Sequence, residues 1–403
     1  MDQAPVLVSA LLAGAVGFLL LMAAASMLAL FKGASELRHF LRSNSTDYSQ
    51  VLLGSPMVYG VSVLAVVRDA APPTRERIRR LLALHCPQHE LVLVLEGLSD
   101  AARDQWVEDF HLTPVKLEAT GGGPAPARYV SSEPAHLTVV EKAREKQNDP
   151  YNAALTAARY PVLALVDARV EFIPDLLLHL MRPLLEDWEH VAAVCASALP
   201  PPSQGLAARI GALEMLRRWL VRGAAFASWG KLMPIPGSCV LVKRSAVDAA
   251  GGFGRGVRQL FRQIYRTKQK LVFLPAPVSW SRAPGSFADL RDHLRYDQAQ
   301  LAGGPILFSV RLLRPLIESS ALLLAAASLY LGWIHPGLAA LVLLASVGTG
   351  IALSVAAVVL RELADPGTRD PGYVTRLFLT AIPENLGYRQ LRNLFLIAGF
   401  LRG

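Results

Sequence analysis

Two long stretches without a charged side chain, one at each end of the 403-residue chain, limit what it can fold into. The first runs from Gln3 to Phe31. As a helix its ~29 residues reach roughly 43 Å, enough to cross a bilayer with some tilt. A cleaved signal peptide fits it poorly, because the stretch is too long for an h-region and no basic n-region precedes it. The second runs from Ser319 to Leu360 and is broken by His335-Pro336-Gly337, the pattern of a two-helix transmembrane hairpin. Its first arm is short and can begin below Glu318. Asp2 precedes the first stretch, whereas Lys32, Arg38 and Arg42 follow it; Arg311 and Arg314 precede the second and Arg361 closes it. Basic residues thus gather on one side, which places Lys32–Glu318 in the cytoplasm. The expected organisation is a transmembrane helix over 3–31, a juxtamembrane linker over 32–50 and a soluble domain over 51–304. An amphipathic interfacial helix over 305–318, the hairpin over 319–360 and an interfacial tail over 361–403 follow. In that tail Leu394–Leu401 is apolar but too short to span.

The three cysteines, Cys86, Cys195 and Cys239, form no C-x-x-C pair, which argues against a disulfide framework or zinc site. His85 and His89 are four apart, but Pro87 between them ends a helix, so they do not read as a metal pair. The net charge of +9 comes without a long basic run or aromatic-basic interleaving, so no nucleic-acid partner is expected. It suits anionic lipid headgroups or a phosphorylated ligand, in part through ordinary positive-inside bias.

Between the apolar ends, strand-like and helix-like stretches alternate. Val61–Val67, Leu91–Leu95, Pro161–Val166, Val191–Ala198 and Cys239–Lys243 read as strands. Thr74–His85, Ala101–Phe110, Asn152–Arg159 and Leu206–Ala224 read as helices, and Gly121–Ala127 as a flexible loop. This order predicts an α/β fold with a Rossmann-like, mostly parallel sheet. No G-x-G-x-x-G follows the first strand, which disfavours a dinucleotide-binding oxidoreductase. Asp167-Ala168-Arg169 closes the buried run PVLALV, so Asp167 falls at the carboxyl edge of the sheet, where open α/β folds hold ligands. Two acids there would chelate a divalent ion and, through it, a diphosphate; one acid followed by an arginine would not.

The order of motifs resembles the family 2 glycosyltransferases of GT-A fold, in their membrane-integrated bacterial branch, over about Val61 to Leu301. Val61–Asp69 (VSVLAVVRD) is similar to the opening strand V-S-V-I-V-P-x-R-N-E. Ile78–Gly97, with ELVLVLEG, is similar to the segment ending V-I-V-V-D-D-G-S. Asn152–Arg159 running into Asp167 is similar to K-A-x-A-L-N-x-G-L-x-x-A followed by D-A-D. Gly237–Phe253 (GSCVLVKRSAVDAAGGF) looks like the acceptor-side loop, and Asp292-His-Leu-Arg295-Tyr296 falls where Q-x-x-R-W is expected.

The resemblance implies roles for these positions. Glu96 would hold the nucleotide base or ribose, although the family's acid pair is Leu95-Glu96 here. Asp167 keeps the first place of D-x-D, while Arg169 replaces the second acid. Gly237 and Ser238 would lie on the acceptor side. Arg295 and Tyr296 would face the diphosphate and acceptor, with Asp292 replacing glutamine. The general base should lie near Gly256-Val257. Yet between Asp248 and Asp289 there is no acid, only Arg255, Arg258, Arg262, Arg266, Lys268, Lys270 and Arg282.

Two functional expectations follow. One is a membrane-bound glycosyltransferase-like protein of polysaccharide or glycolipid assembly that has lost sugar transfer and serves as scaffold or partner of an active synthase. Polysaccharide-export machinery is a further candidate partner. The other is an active, metal-independent transferase moving a sugar from a nucleotide-sugar to a lipid-linked or polysaccharide acceptor. There Arg169 and the cations of Arg255–Lys270 neutralise the diphosphate, and Asp292, Asp289 or Glu171 acts as base. No cofactor is expected; Mg²⁺ or Mn²⁺ would enter only if Asp167 still binds metal. The expected location is the bacterial inner membrane, in contact with its lipids. Simpler readings stand beside these: Asp167 caps a helical turn, Arg169 pairs with Glu171, and Arg258, Arg262 and Arg266, at i, i+4 spacing, form one solvated or lipid-facing helix face.

Overall fold

A computed structural model describes residues 4–43, 49–115, 127–132, 136–143, 149–168, 170–196, 205–229, 239–254, 256–274, 279–280, 305–364 and 370–401. The chain divides into two compact units. One comprises His39–Leu199 and Arg222–Ser281; the other comprises Met1–Arg38, Pro200–Val221 and Arg282–Gly403.

The first unit is α/β. Its strands are β1 (Val61–Val67), β2 (His89–Glu96), β3 (Leu112–Val115), β4 (Arg128–Ser131), β5 (Leu137–Lys142), β6 (Val162–Asp167), β7 (Glu171–Phe172), β8 (Val191–Ala196), β9 (Cys239–Lys243), β10 (Lys270–Leu274) and β11 (Ser279–Trp280). Nine of them form one sheet in the order β10-β8-β9-β6-β1-β2-β5-β4-β3, and β7 pairs with β11 in a separate ribbon. β5, β2, β1 and β6 run parallel, whereas β9 opposes both β6 and β8, and β4 opposes β5 and β3. The mostly parallel sheet read from the sequence is present. The reason is visible in β1, β2 and β6, which are apolar and buried almost end to end rather than alternating, as strands covered on both faces must be.

The core beneath the sheet takes Ile78 and Leu81 from the Pro72–Leu82 helix, Trp106 from the Asp100–Asp109 helix, and Leu176 to Leu184 from the Leu176–Glu186 helix. Full burial of each such side chain contributes about 1.5–3 kcal/mol. At the amino edge Glu90, 2% exposed, is satisfied by the Ser62 hydroxyl (2.6 Å), the Arg159 backbone N–H (2.6 Å) and Arg159 Nε (2.8 Å). A buried carboxylate survives there because it is fully hydrogen-bonded.

The second unit is helical. It contains most of the Ala4–Ser43 helix, the Leu206–Arg218 helix, the Pro305–Tyr330 helix and two long helical runs over 336–364 and 371–401. Each run passes through one wider π turn, at Leu344–Gly348 and Glu384–Tyr388. Among the described residues two helices are long and apolar enough to cross a membrane, Ala4–Arg42 and Pro336–Leu363.

The expected hairpin is therefore not clearly present. Its second arm is, but the first arm and the expected interfacial helix over 305–318 merge into the single Pro305–Tyr330 helix. The first arm was expected to be able to begin below Glu318, and Glu318 lies within this helix, 1% exposed. It accepts from Arg389 at 2.9 Å and from Ser346 at 2.7 Å. A partner 71 residues away neutralises this charge inside the helix. The tail likewise forms the 371–401 helical run. Its Pro371–Pro383 portion packs on the Leu206–Arg218 and Thr349–Ala364 helices, and Arg389–Leu401 packs on Pro305–Tyr330.

Candidate functional site

The ends of β5, β2, β1 and β6 fall along one edge of the sheet, because the register pairs Glu96 with Lys142, Val67 with Leu95, and Val66 with Asp167. Charged side chains gather on that edge. Arg68, just past β1, donates through Nε to Glu96 Oε2 at 2.6 Å. Glu96 is 4% exposed and Arg68 55% exposed, so the carboxylate is covered by the cation in front of it. Asp69 faces away, accepting from the Ala71 N–H (3.0 Å) and the Thr74 hydroxyl (2.7 Å), where it orders the start of the Pro72–Leu82 helix.

Asp149 precedes the Pro150–Ala157 helix and caps it, Oδ1 accepting from the Tyr151 N–H at 2.9 Å. Burial holds its carboxyl above the ordinary carboxylate range, and neighbouring Glu96 pushes the same way against the cap hydrogen bond, Arg68 and Lys142. The Tyr151 hydroxyl donates to the Val166 carbonyl at 3.2 Å. Burial raises its pKa first, and the charges of Asp167 and Asp149 raise it further.

Residues 251–254 are held against the same helix. Asn152 accepts from the Phe253 N–H at 2.9 Å and donates to the Gly254 carbonyl at 3.3 Å. Gly256 sits at φ 131°, a conformation L side chains rarely adopt, and a Cβ there would lie 3.1 Å from Asp149 Oδ2. This corrects the sequence reading, which found no carboxylate near Gly256-Val257. None is near in sequence, but Asp149 reaches the loop from more than a hundred residues upstream. The missed signal was the Asp149-Pro150 pair, a helix cap followed by proline in the first turn.

Among the described cations of the Arg255–Lys270 stretch, Arg262, Arg266 and Lys270 are exposed. In the Val257–Arg266 helix Leu260, Phe261 and Ile264 are buried while Arg262 and Arg266 are exposed, as a solvated helix face requires. Lys270 opens β10, which runs parallel to β8 and hence to β6. It therefore sits at the sheet edge opposite Asp167, where it donates to Asp187 at 2.8 Å. Glu171 lies on β7, 3.7 Å from Arg80. Arg169, Gly237, Ser238, Arg255, Arg282, Asp289, Asp292, Arg295 and Tyr296 fall outside the described residues.

Among the described residues no three His, Cys, Asp or Glu side chains come together to hold a metal ion. The end of β6 presents Asp167, with arginine rather than a second acid two positions on. A single carboxylate holds a divalent ion weakly unless substrate phosphates and water complete its shell.

The family model for glycosyl transferase family 21 matches residues 141–380. Among solved structures the chain is similar to the mannosyltransferase PcManGT from Pyrobaculum calidifontis in complex with GDP-Man and Mn2+, at 17% identity over 95% of this chain and 98% of that one, with a TM-score of 0.47. It is similar to glucosyl-3-phosphoglycerate synthase from Mycobacterium tuberculosis in complex with Mn2+, uridine-diphosphate and phosphoglyceric acid (14% identity; 58% and 74% covered; TM-score 0.36). Residues 1-349 of S. aureus TarS are a third likeness (13% identity; 82% and 91% covered; TM-score 0.36). No curated protein matches the chain.

Proposed function

The chain belongs to glycosyl transferase family 21, and from that premise we propose a membrane-bound protein of polysaccharide or glycolipid assembly whose sugar-transfer step is impaired and which partners an active synthase. One observation carries this reading: the strand-end acids are already engaged within the protein. Glu96 is covered by Arg68, and Asp69 is spent on capping. A nucleotide-sugar would have to displace the Arg68–Glu96 pair to use the carboxylate. The family membership supports the glycosyltransferase type, and the Ala4–Arg42 and Pro336–Leu363 helices support a bilayer location with the α/β unit on the cytoplasmic side.

A second reading, favoured by Asp149, is a metal-independent transferase. In it the acceptor hydroxyl attacks the anomeric carbon, its proton passes to Asp149 Oδ2, and the bond to the nucleoside diphosphate breaks. Arg68 and Lys142, with Arg169, balance the leaving charge. Calorimetry with UDP-sugars, in EDTA and then with Mn²⁺, together with a turnover assay, separates the two. The impaired partner gives no turnover in either condition. Metal-free binding with turnover replaces it with the transferase, and strictly Mn²⁺-dependent turnover overturns both.

A further inference from the structure

The helical unit encloses a polar network that the nucleotide-sugar reading does not use. Its described members include five arginines (Arg217, Arg218, Arg314, Arg389, Arg392) and three glutamates (Glu214, Glu318, Glu384). The three carboxylates are fully occupied. Glu318 accepts from Arg389 and Ser346, and Glu384 from Arg217 and Ser354. Glu214 accepts from Arg218 (2.8 Å), Arg392 (3.0 Å) and the Tyr388 hydroxyl (3.4 Å). Among the described residues five cations face three anions, an excess of two positive charges, and Arg217, Arg389 and Arg392 oppose the charge of Arg314.

Donors are left over as well. Arg392 Nε and Asn393 Nδ2 are buried with no hydrogen-bond partner, and Asn393 is 2% exposed. Asn385, Arg389 and Asn393 follow at four-residue spacing, so the unpaired amide continues the face that carries the network. The backbone is adapted to the same place. The π turn Leu344–Gly348 supplies Ser346, and Glu384–Tyr388 supplies Glu384, Asn385 and Tyr388. A third π turn, Trp219–Ala225, begins directly after Arg218. Such wide turns concentrate at functional sites.

We infer that this network is a binding site for a phosphate-bearing lipid headgroup, reached beside Arg392 and Asn393. An acceptor-only anion meets both needs at once: it neutralises the surplus charge and accepts from the two unpaired donors. Guanidinium groups match phosphate oxygens in geometry as well as charge. A neutral headgroup would leave the surplus charge in place, and a metal cation would be repelled. The network meets the surface at Arg217 and Arg392, 21% and 25% exposed against 9% for Arg389, and a headgroup that enters there reaches the buried Arg392 Nε and Asn393 Nδ2 by displacing the side chains over them. The apolar helices around the site make lipid the source, a step that rests on their placement in a bilayer.

Native mass spectrometry of the full chain in detergent micelles tests this, using phosphatidylglycerol, diacylglycerol with the same acyl chains, and inorganic phosphate. Expected is one retained phosphatidylglycerol that neither diacylglycerol nor phosphate replaces. Asn393→Leu removes an unpaired buried donor, so the protein should remain folded while phosphatidylglycerol retention falls about tenfold or more. Arg392→Gln gives the same comparison should Asn393→Leu fail to fold. Equal retention of diacylglycerol, saturation by inorganic phosphate alone, or unchanged retention in the folded variant overturns the site. Release of the protein from membranes by alkaline carbonate would instead overturn its bilayer placement, whatever lipid it binds.

Discussion

Asp149 caps a helix with one oxygen and meets the Gly256 turn with the other, at the cost of holding a carboxylate where burial and Glu96 both oppose its charge. A raised folded pKa favours folding while the group is protonated. That contribution is complete below its ordinary value of 3.8 and disappears as pH rises through the elevated one. Near neutrality the ionised side chain therefore destabilises the fold. Asn is as good a cap as Asp and carries no charge, so Asp149→Asn is expected to raise the melting temperature at pH 7 and to leave it unchanged near pH 3. If Asp149 is the acceptor-side base, the same change abolishes any transfer activity while stabilising the protein. A lower melting temperature at pH 7 would show that the carboxylate is structural instead.

Legibility at the scale of elements tracks how local each cause is. β1, β2, β6, β8 and β9 were readable because each is an apolar run that any burial model recovers. β3, β4 and β5 were missed: LTPV, RYVS and LTVVEK are short, half polar, and hold together through cross-strand pairing at the sheet margin. Asp167 and Glu96 were placed correctly at strand ends because a strand end is a local property. Asp149 was missed because its role depends on contact with the loop around Gly256. The helices of the second unit show the same limit, since the Glu318–Arg389 pair is invisible to any sequence window. Close approach between these helices is also non-local. A Cβ at Gly350 would run into Arg389 Nη1 and Asn385 Oδ1, so glycine there lets the Thr349–Ala364 helix lie on the network. Gly350→Val is expected to cost about 1–3 kcal/mol, read as an earlier thermal midpoint in detergent. Val at Gly14, where nothing lies within 4 Å, is the control and should change little.

For the whole molecule the decisive fact is that sequence order and spatial grouping disagree. The Leu206–Arg218 helix leaves the α/β unit's stretch of chain, joins the helical unit, and the chain then returns to supply β9 and β10. Three of its side chains, Glu214, Arg217 and Arg218, belong to the buried polar network, and two of them reach partners beyond residue 380: Glu214 pairs with Arg392, and Arg217 with Glu384. Cutting the chain after residue 304 strips both partners at once, leaving charges that were matched to each other exposed on a helix with an apolar opposite face. Breaking one buried pair by removing a single partner costs roughly 3–5 kcal/mol, comparable with the whole stability of a marginal domain. Residues 49–304 expressed alone are thus expected to aggregate, although they contain every strand of the sheet. Co-expression with residues 305–403 should recover soluble complex in detergent, and Glu384→Ala in the second fragment should reduce that recovery. A well-behaved monomer from residues 49–304 alone would mean that the helix at 206–218 can stand without its partners, and that the sheet folds independently of the helices its own chain threads through.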